Sequence, residues 1–463
     1  MKHFCRALIT ITAFVLVYAI CSRILLLKSE DGIEQMQSFY LQKENTVDVL
    51  LLGSSHIYCN VNTGILWDEY GISAFDLGGA EEPYWNGYYY LKEALKTQRP
   101  KLIVMDVSIP GTRSVDYQPE VWTVTNLYGM KYNINRLEAT RVSTLKQSFL
   151  RLLNPMNTMH TRYDQLTMDD FVDENRSVNY KGFDYRDRVE PFENRDMSDV
   201  TELIPLQEKE EKYFRQIIAL TKEYEIPLLL VCVPFPIYTY EDAQGINNYQ
   251  FMIAKEEGIP YIDFNRDHYY EKIGLNMETD MADEFHMNID GNRKFTTYFG
   301  KYLSENYSLT DHRGDPAYRS WEEDAATHRQ EVCEAQLKKS QGTDDYLPEL
   351  QNEYYISYVA LGGQAQTSFA EENRDALSLL GIGKEQCISG NIVITNGGEC
   401  LYASASDDQR TLCDLGDRRL LLVREDGQTK LFANDKEYSL DTDGIKILVF
   451  DKQLKRVVSE KEF

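Results

Sequence analysis

Asp283 and His286 are separated by two residues, and Ser55 stands at the end of an apolar run more than two hundred residues earlier. A serine hydroxyl is a weak nucleophile unless a base takes its proton, and the base needs a third group to fix its tautomer and to stabilise the imidazolium. Ser55, His286 and Asp283 are the residue types for those three roles, because the D-x-x-H spacing puts a carboxylate and an imidazole on one turn. Each half is common by chance. What selects them is placement, with Ser55 ending the first strand of a region whose last helix follows Asp283 and His286. His56 adjoins Ser55 and is expected to point away from it, while Asp106, at the end of another buried strand, is expected to bond local backbone. A second reading stays open for Ser55, that it merely satisfies a strand end.

The elements that must position these groups follow from pattern. Val47 to Gly53 is a Val/Leu run bounded by glycine, which predicts a buried parallel strand with small polar residues at its carboxyl end, where open α/β sheets place their chemistry. A short helix is expected over 62–70, a strand over 74–79, an amphipathic helix over 84–96 and a strand over 101–108. Strands alternating with helices predict an α/β fold with a doubly wound parallel sheet. From about 110 to 200 the strand rhythm stops, apart from an expected helix over 140–153, and this insertion is expected to cover or shape a site. Its aromatics, among them Tyr117, Trp122, Tyr128, Tyr163 and Tyr185, either stack on sugar rings or form the insertion's own small core. The rhythm then resumes with a helix over 205–224, a buried strand over 226–234, a helix over 249–257, a short edge strand over 261–264 and a helix starting near Gly291.

Composition excludes some functions. The chain of 463 residues carries 74 Asp and Glu against 49 Lys and Arg, a net charge of -25, which repels nucleic acid and anionic lipid headgroups. No cysteine pair has zinc-ligand or CxxC spacing, and only Cys387, Cys400 and Cys413 are close enough in sequence to suggest a disulfide. Lys2, His3 and Arg6 precede an apolar segment that resumes after Arg23, about 20 residues in all, enough to cross a bilayer. This is expected to be a transmembrane signal anchor (1–28) with residues from about 29 onward outside the cytoplasm; a cleaved signal peptide is the alternative.

From about 46 to 306 the sequence resembles the SGNH (GDSL-like) hydrolase superfamily, in particular its membrane-anchored members similar to DltD and the alginate-acetylation proteins. Gly53-Ser54-Ser55 stands where that family has Gly-Asp-Ser, and Asp283-Glu284-Phe285-His286, continued by Met287 to Gly291, matches its terminal block. The resemblance implies a flavodoxin-like three-layer α/β/α sandwich over 29–308, Ser55 as nucleophile, and no metal or cofactor. It also implies an oxyanion hole built from a glycine amide and an asparagine side chain. Gly79 corresponds to the glycine, whereas the block at Met105 to Gly111, MDVSIPG, has no asparagine, so Ser108 or the Ser55 amide is the expected substitute.

Residues 309–351 are expected to form a linker with a helix over 321–339, and 352–463 a separate α+β domain with antiparallel strands, connected by turns such as Glu425-Asp426-Gly427. Strands are expected over 354–361, 390–394, 420–424, 429–433 and 445–451, and a helix over 367–380. This domain resembles the one shared by interleukin-like EMT inducer and PANDER-type proteins, on Tyr355-Ile356-Ser357, Leu379-Leu380-Gly381, Asn396-Gly397-Gly398 and Asp443 through Lys452. Carbohydrate or protein binding is an implication of that likeness. Together the readings predict an acyl-esterase or O-acyltransferase acting on a cell-surface glycan, with a multispanning membrane acyltransferase as donor if it transfers. The alternative is a catalytically weak glycan-binding or scaffold protein.

Overall fold

The computed structural model describes residues 2–26, 31–108, 116–167, 170–171, 180–240, 242–362, 374–383, 385–386, 392–404, 409–414, 419–425, 428–434 and 436–463. Helix α1 (Lys2–Leu25) is long and apolar enough to span a membrane, and most of its side chains are exposed. It is followed by α2 (Ile33–Phe39), β1 (Val49–Gly53), α3 (Ser55–Asn60), α4 (Thr63–Tyr70), β2 (Ala74–Gly78), α5 (Tyr84–Ala94) and β3 (Leu102–Asp106). The insertion holds α6 (Glu120–Tyr128), α7 (Ile134–Ser143), α8 (Phe149–Leu152), α9 (Met156–Met159) and a 3-10 turn, His160–Asp164. Then come α10 (Glu208–Glu223), β4 (Leu228–Cys232), α11 (Ala243–Glu257), β5 (Tyr261–Asp263), α12 (Tyr269–Ile273) and α13 (Ile289–Asn306).

The five strands form one parallel sheet in the order β2-β1-β3-β4-β5. Every residue of β1 is buried, because successive side chains enter different cores. Leu50 and Leu52 join Trp85, Leu91, Phe214 and Ile217 on one face, and Val49 and Leu51 join Ile57, Leu66, Phe295 and Phe299 on the other. Each such burial contributes about 1.5–3 kcal/mol, so a Leu/Val run is what a central strand requires. The expected edge strand, β5, lies at the sheet's end and is only half-buried.

Capping explains where boundaries moved. Asn133 Oδ1 accepts the N–H groups of Asn135 and Arg136, so α7 starts before the expected residue 140, and extended backbone at Thr144 ends it. Asn288 caps α13 in the same way, so that the helix starts at Ile289, two residues ahead of Gly291. The insertion lacked a readable period because its helices are at most ten residues long.

The chain divides into two compact units, residues 1–325 and 326–463, and the division falls within α14 (Arg319–Lys339). The stretch expected as a linker is thus built into folded units: Trp321 and Ala325 belong to a core of the first, Leu337 and the α15 (Thr343–Glu349) residues Tyr346 and Leu347 to a core of the second. The second unit continues with β6 (Tyr355–Leu361), α16 (Arg374–Leu379), β7 (Ile392–Asn396), β8 (Glu399–Ser404), β9 (Gln409–Asp414), β10 (Arg419–Glu425), β11 (Gln428–Ala433), β12 (Lys436–Ser439), β13 (Ile445–Asp451) and β14 (Arg456–Glu462). They form two antiparallel sheets, β14-β13-β6-β7-β8 and β12-β11-β10-β9. The four strands not foreseen, β8, β9, β12 and β14, are the four edges of these sheets. An edge strand needs no continuous apolar run, and charges such as Lys436, Glu437, Lys461 and Glu462 protect it from further pairing. Asp426 and Gly427 lie outside the described residues, as do 367–373 of the expected helix; Glu425 pairs directly with Gln428.

Candidate active site

Gly53 ends β1 with φ 151°, a conformation that side chains disfavour, and a Cβ there would press to 3.0 Å on Asp106 Cβ. The backbone can therefore break out of the sheet at once. Ser54 Oγ accepts the His56 N–H at 3.4 Å and caps α3, leaving Ser55 as the first helical residue, partly exposed at the carboxyl end of the sheet. His56 is directed inward. Its ring is fully buried, edge-on to Phe235 at 4.5 Å and 6.1 Å from the His286 ring, so it forms a wall behind the site.

The second strand of the site is a tight loop. Asp283 Oδ1 accepts the N–H groups of Phe285 at 2.9 Å and His286 at 3.0 Å, and Asp283 Oδ2 lies 2.9 Å from His286 Nδ1. Burial raises the Asp283 pKa, but the imidazole and the two backbone donors outweigh it and bring the carboxyl down to about 2. Asn60, at the far end of the helix that Ser55 opens, locks this loop to α3: its Oδ1 accepts the Met287 N–H at 2.7 Å and its Nδ2 donates to the Phe285 carbonyl at 3.2 Å. With Nδ1 committed to Asp283, His286 Nε2 is buried and has no hydrogen-bond partner among the described residues.

Ser55 and His286 line one cavity of about 200 Å³. Tyr58 and Phe285 form part of its wall, Ala80 and Glu81 follow β2, Trp122 comes from α6, and Asp31 and Arg186 complete it. Arg186 pairs with Asp184 and, at 3.5 Å, with Asp31. Burial opposes its charge, but Asp184 and Asp31 hold the guanidinium firmly protonated. Asp184 is itself tied to α3 by its N–H on the Tyr58 carbonyl, at 2.7 Å.

The two residues expected at an oxyanion hole fare differently. A Cβ at Gly79 would require the Asn126 amide to move, and the Gly79 N–H donates to the Gly53 carbonyl at 3.3 Å; the next residue, Ala80, is the one that lines the cavity. Ser108 is not brought to the cavity. It is fully buried, and its hydroxyl donates to Asp106 Oδ1 at 2.5 Å, with Cys232 Sγ at 3.3 Å. Asp106 also accepts the Val233 N–H at 3.3 Å, a backbone bond to the residue after β4 and not to local backbone as expected, and burial lifts its pKa to about 7. Ile109 to Gly111 lie outside the described residues.

Asn60, Arg186, Asp31 and Ala80 were missed because no local pattern marks them; a lone Asn in a short helix and an Arg in a Tyr/Asp-rich stretch carry no period. Of the insertion aromatics, Tyr128 is core, Trp122 lines the cavity, and Tyr117 and Tyr163 are exposed. Cys400 is a free thiol, while Cys387 and the Cys413 side chain lie outside the described residues. No model of a known protein family matches this chain, and a search of curated proteins also finds no match.

Proposed function

We propose that this chain is a serine acyl-esterase or O-acyltransferase of the SGNH (GDSL-like) type, anchored in a membrane by α1 and acting outside the cytoplasm on an O-acyl group, acetyl above all, of a cell-surface polysaccharide. The observation that carries the reading is that Ser55 and His286 line one cavity while Asp283 holds the imidazole by Nδ1. The strand order 2-1-3-4-5, with cores on both faces of the sheet, supports a flavodoxin-like three-layer architecture for the first unit.

In this mechanism His286 Nε2 takes the Ser55 proton as Oγ attacks the ester carbonyl, and Asp283 stabilises the imidazolium. The tetrahedral oxyanion is met by the N–H of Ser55, which lies in the first turn of α3 and so has no intrahelical acceptor, and by the N–H of Ala80, a residue that lines the same cavity. Collapse expels the sugar oxygen, which takes the proton from Nε2, and leaves an acyl-serine. Water or an acceptor hydroxyl, deprotonated by His286, then attacks that acyl group and releases Ser55. A cavity of about 200 Å³ suits a short acyl group with its sugar at the mouth against Trp122. Transfer in place of hydrolysis requires exclusion of water and an acyl donor, for which a multispanning membrane acyltransferase is the fitting partner. The second unit is then an accessory domain for glycan or protein contacts.

Two observations favour a second reading, a catalytically weak glycan-binding or scaffold protein: Nε2 makes no bond to Ser55, and no asparagine stands in MDVSIPG. Assaying the detergent-solubilised full chain on small acyl esters, beside Ser55→Ala and His286→Ala, separates the two. Serine hydrolysis predicts turnover that both variants lose and a fluorophosphonate adduct on Ser55. Equal rates in all three proteins, or no adduct on any serine, would leave the scaffold reading.

A further inference from the structure

The insertion carries a surface that catalysis does not use. Asn154 Oδ1 accepts the Ser22 hydroxyl at 3.1 Å, Arg162 donates to the Leu25 carbonyl at 2.7 Å, and Leu25 is buried. Ser22 and Leu25 fall in the last turn of α1, and a turn rises about 5.4 Å, so Asn154 and Arg162 stand at the level where a membrane-crossing α1 leaves the hydrocarbon. Tyr132 lies within electrostatic range of Tyr18, one turn further back. Helices α7, α8 and α9 and the turn His160–Asp164 are successive neighbours, and the last two pack on α1.

On these elements large apolar side chains are exposed beside the anchor: Leu150 is 75% accessible, Tyr163 72% and Ile134 61%, with Leu145 half exposed. The local charge is also opposite to that of the chain. From Tyr128 to Tyr163 there are six basic residues and one acidic residue, Glu138, in a protein of net charge -25. Arg136 is buried with its guanidinium 3.8 Å from the Tyr132 ring and Arg151 pairs with Glu120, while Lys131, Arg141 and Lys146 are exposed. Exposed Leu, Ile and Tyr interleaved with Lys and Arg are the composition of a surface that settles into anionic headgroups.

We propose that this face of the insertion, α7 to α9 with the turn His160–Asp164, beds on the surface of an anionic lipid bilayer beside α1. The proposal rests on the reading that α1 spans that bilayer and is independent of catalysis. Two membrane contacts then fix the height of the Ser55 cavity, since Trp122 in its wall belongs to α6, which packs on α7.

The test uses the full chain reconstituted in vesicles of phosphatidylcholine and phosphatidylglycerol brominated high on the acyl chains. A fluorescent amino acid replaces residue 14, 150, 163 or 251 in turn, Phe14 reporting insertion of α1 and Phe251, 49% accessible on α11, reporting a surface away from this face. About half the emission is expected to be lost at 14, 150 and 163, and little at 251. Adding Arg141→Glu and Lys146→Glu should restore emission at 150 and leave 14 quenched. Quenching at 14 with 150 and 163 behaving like 251 would overturn the docking alone. No quenching at 14 would remove the anchor reading and the docking with it. Shielding at 150 only when a multispanning membrane protein is added would make the face a protein interface and overturn its lipid assignment.

Discussion

The carboxyl ends of β1 and β3 are neighbours in the sheet and look alike in sequence, LLLGSS beside IVMDVS, yet one serine reaches a cavity and the other is sealed. The difference lies in what the backbone does next. Gly53 turns out of the sheet directly into α3 and presents Ser55 on its first turn, whereas Val107 stays in line, its N–H on the Val231 carbonyl at 2.8 Å, and carries Ser108 down beside Asp106. A serine at a strand end is a nucleophile candidate only if the chain lifts it clear of the sheet and no buried acceptor already holds its hydroxyl hydrogen bond.

The largest expected effect tests that contrast directly. Ser55→Ala should lower kcat on a small acyl ester by about four orders of magnitude, because nucleophile and base act as a unit. Ser108→Ala should leave kcat within about twofold and cost about 1–2 kcal/mol of stability, since it strands a buried carboxyl. Both are read from initial rates and denaturant melts of the same preparations. A Ser108→Ala variant as inactive as Ser55→Ala would reverse the assignment of the two strand ends.

Asp283, bonded to His286, and Asp106, bonded to Ser108, are shifted in opposite directions, Asp283 down to about 2 and Asp106 up to about 7. For Asp283 the folded value lies below the unfolded one, so the stability it contributes is present above about pH 4 and is lost as pH falls toward 2. For Asp106 the folded value is raised, so its contribution is complete below about pH 4 and is lost as pH rises through 7. Asp106→Asn keeps an acceptor for Ser108 and Val233 without the titration. It should recover roughly 2–4 kcal/mol at pH 8 relative to pH 4, measured as the difference in pH dependence of unfolding between variant and parent. An unchanged pH profile would mean that Asp106 is not the buried acid of β3.

What the sequence made legible were features written in one stretch. The Val/Leu run of β1 must be buried on both faces, and Asp283 and His286 share one turn, so their mutual bond follows from spacing. The partners that complete the site come from distant positions. Asn60 meets the Asp283 loop across more than two hundred residues, and Arg186 reaches the cavity from a stretch without period. Ser55 and Ser108 are separated only by a backbone φ and a nearby carboxylate, neither of which a one-dimensional pattern records. The same holds for the second unit, where central strands announced themselves by apolar runs and the charged edges did not.

Asn60 sharpens the comparison next, because among the described residues β3 has no counterpart to the clamp that ties α3 to the histidine loop. Asn60→Ala removes the acceptor of the Met287 N–H and the donor to the Phe285 carbonyl, freeing His286 to drift relative to Ser55. A displacement of about 1 Å costs on the order of 10²-fold in rate, so kcat should fall by about 10- to 100-fold with KM little changed. Asn60→Asp keeps only the acceptor and should lie between. A KM-dominated loss would mean that Asn60 supports the cavity wall and not the base.

The smallest effect concerns the wall of the cavity that Ser55 lines. Trp122 is carried there by α6, and an indole face against a sugar ring is worth about 1 kcal/mol. Trp122→Ala should therefore raise KM about fivefold on an acetylated oligosaccharide and leave a nitrophenyl acetate unaffected, since the small ester never reaches the indole. The acidic neighbours sharpen this further. Asp31 and Asp184 already neutralise Arg186, so a neutral sugar should be preferred over a uronic acid, and Arg186→Gln should not restore binding of the acid. Equal KM values for Trp122→Ala and parent on every glycan ester would place the sugar on another face of the cavity, leaving Trp122 as a packing residue of the insertion.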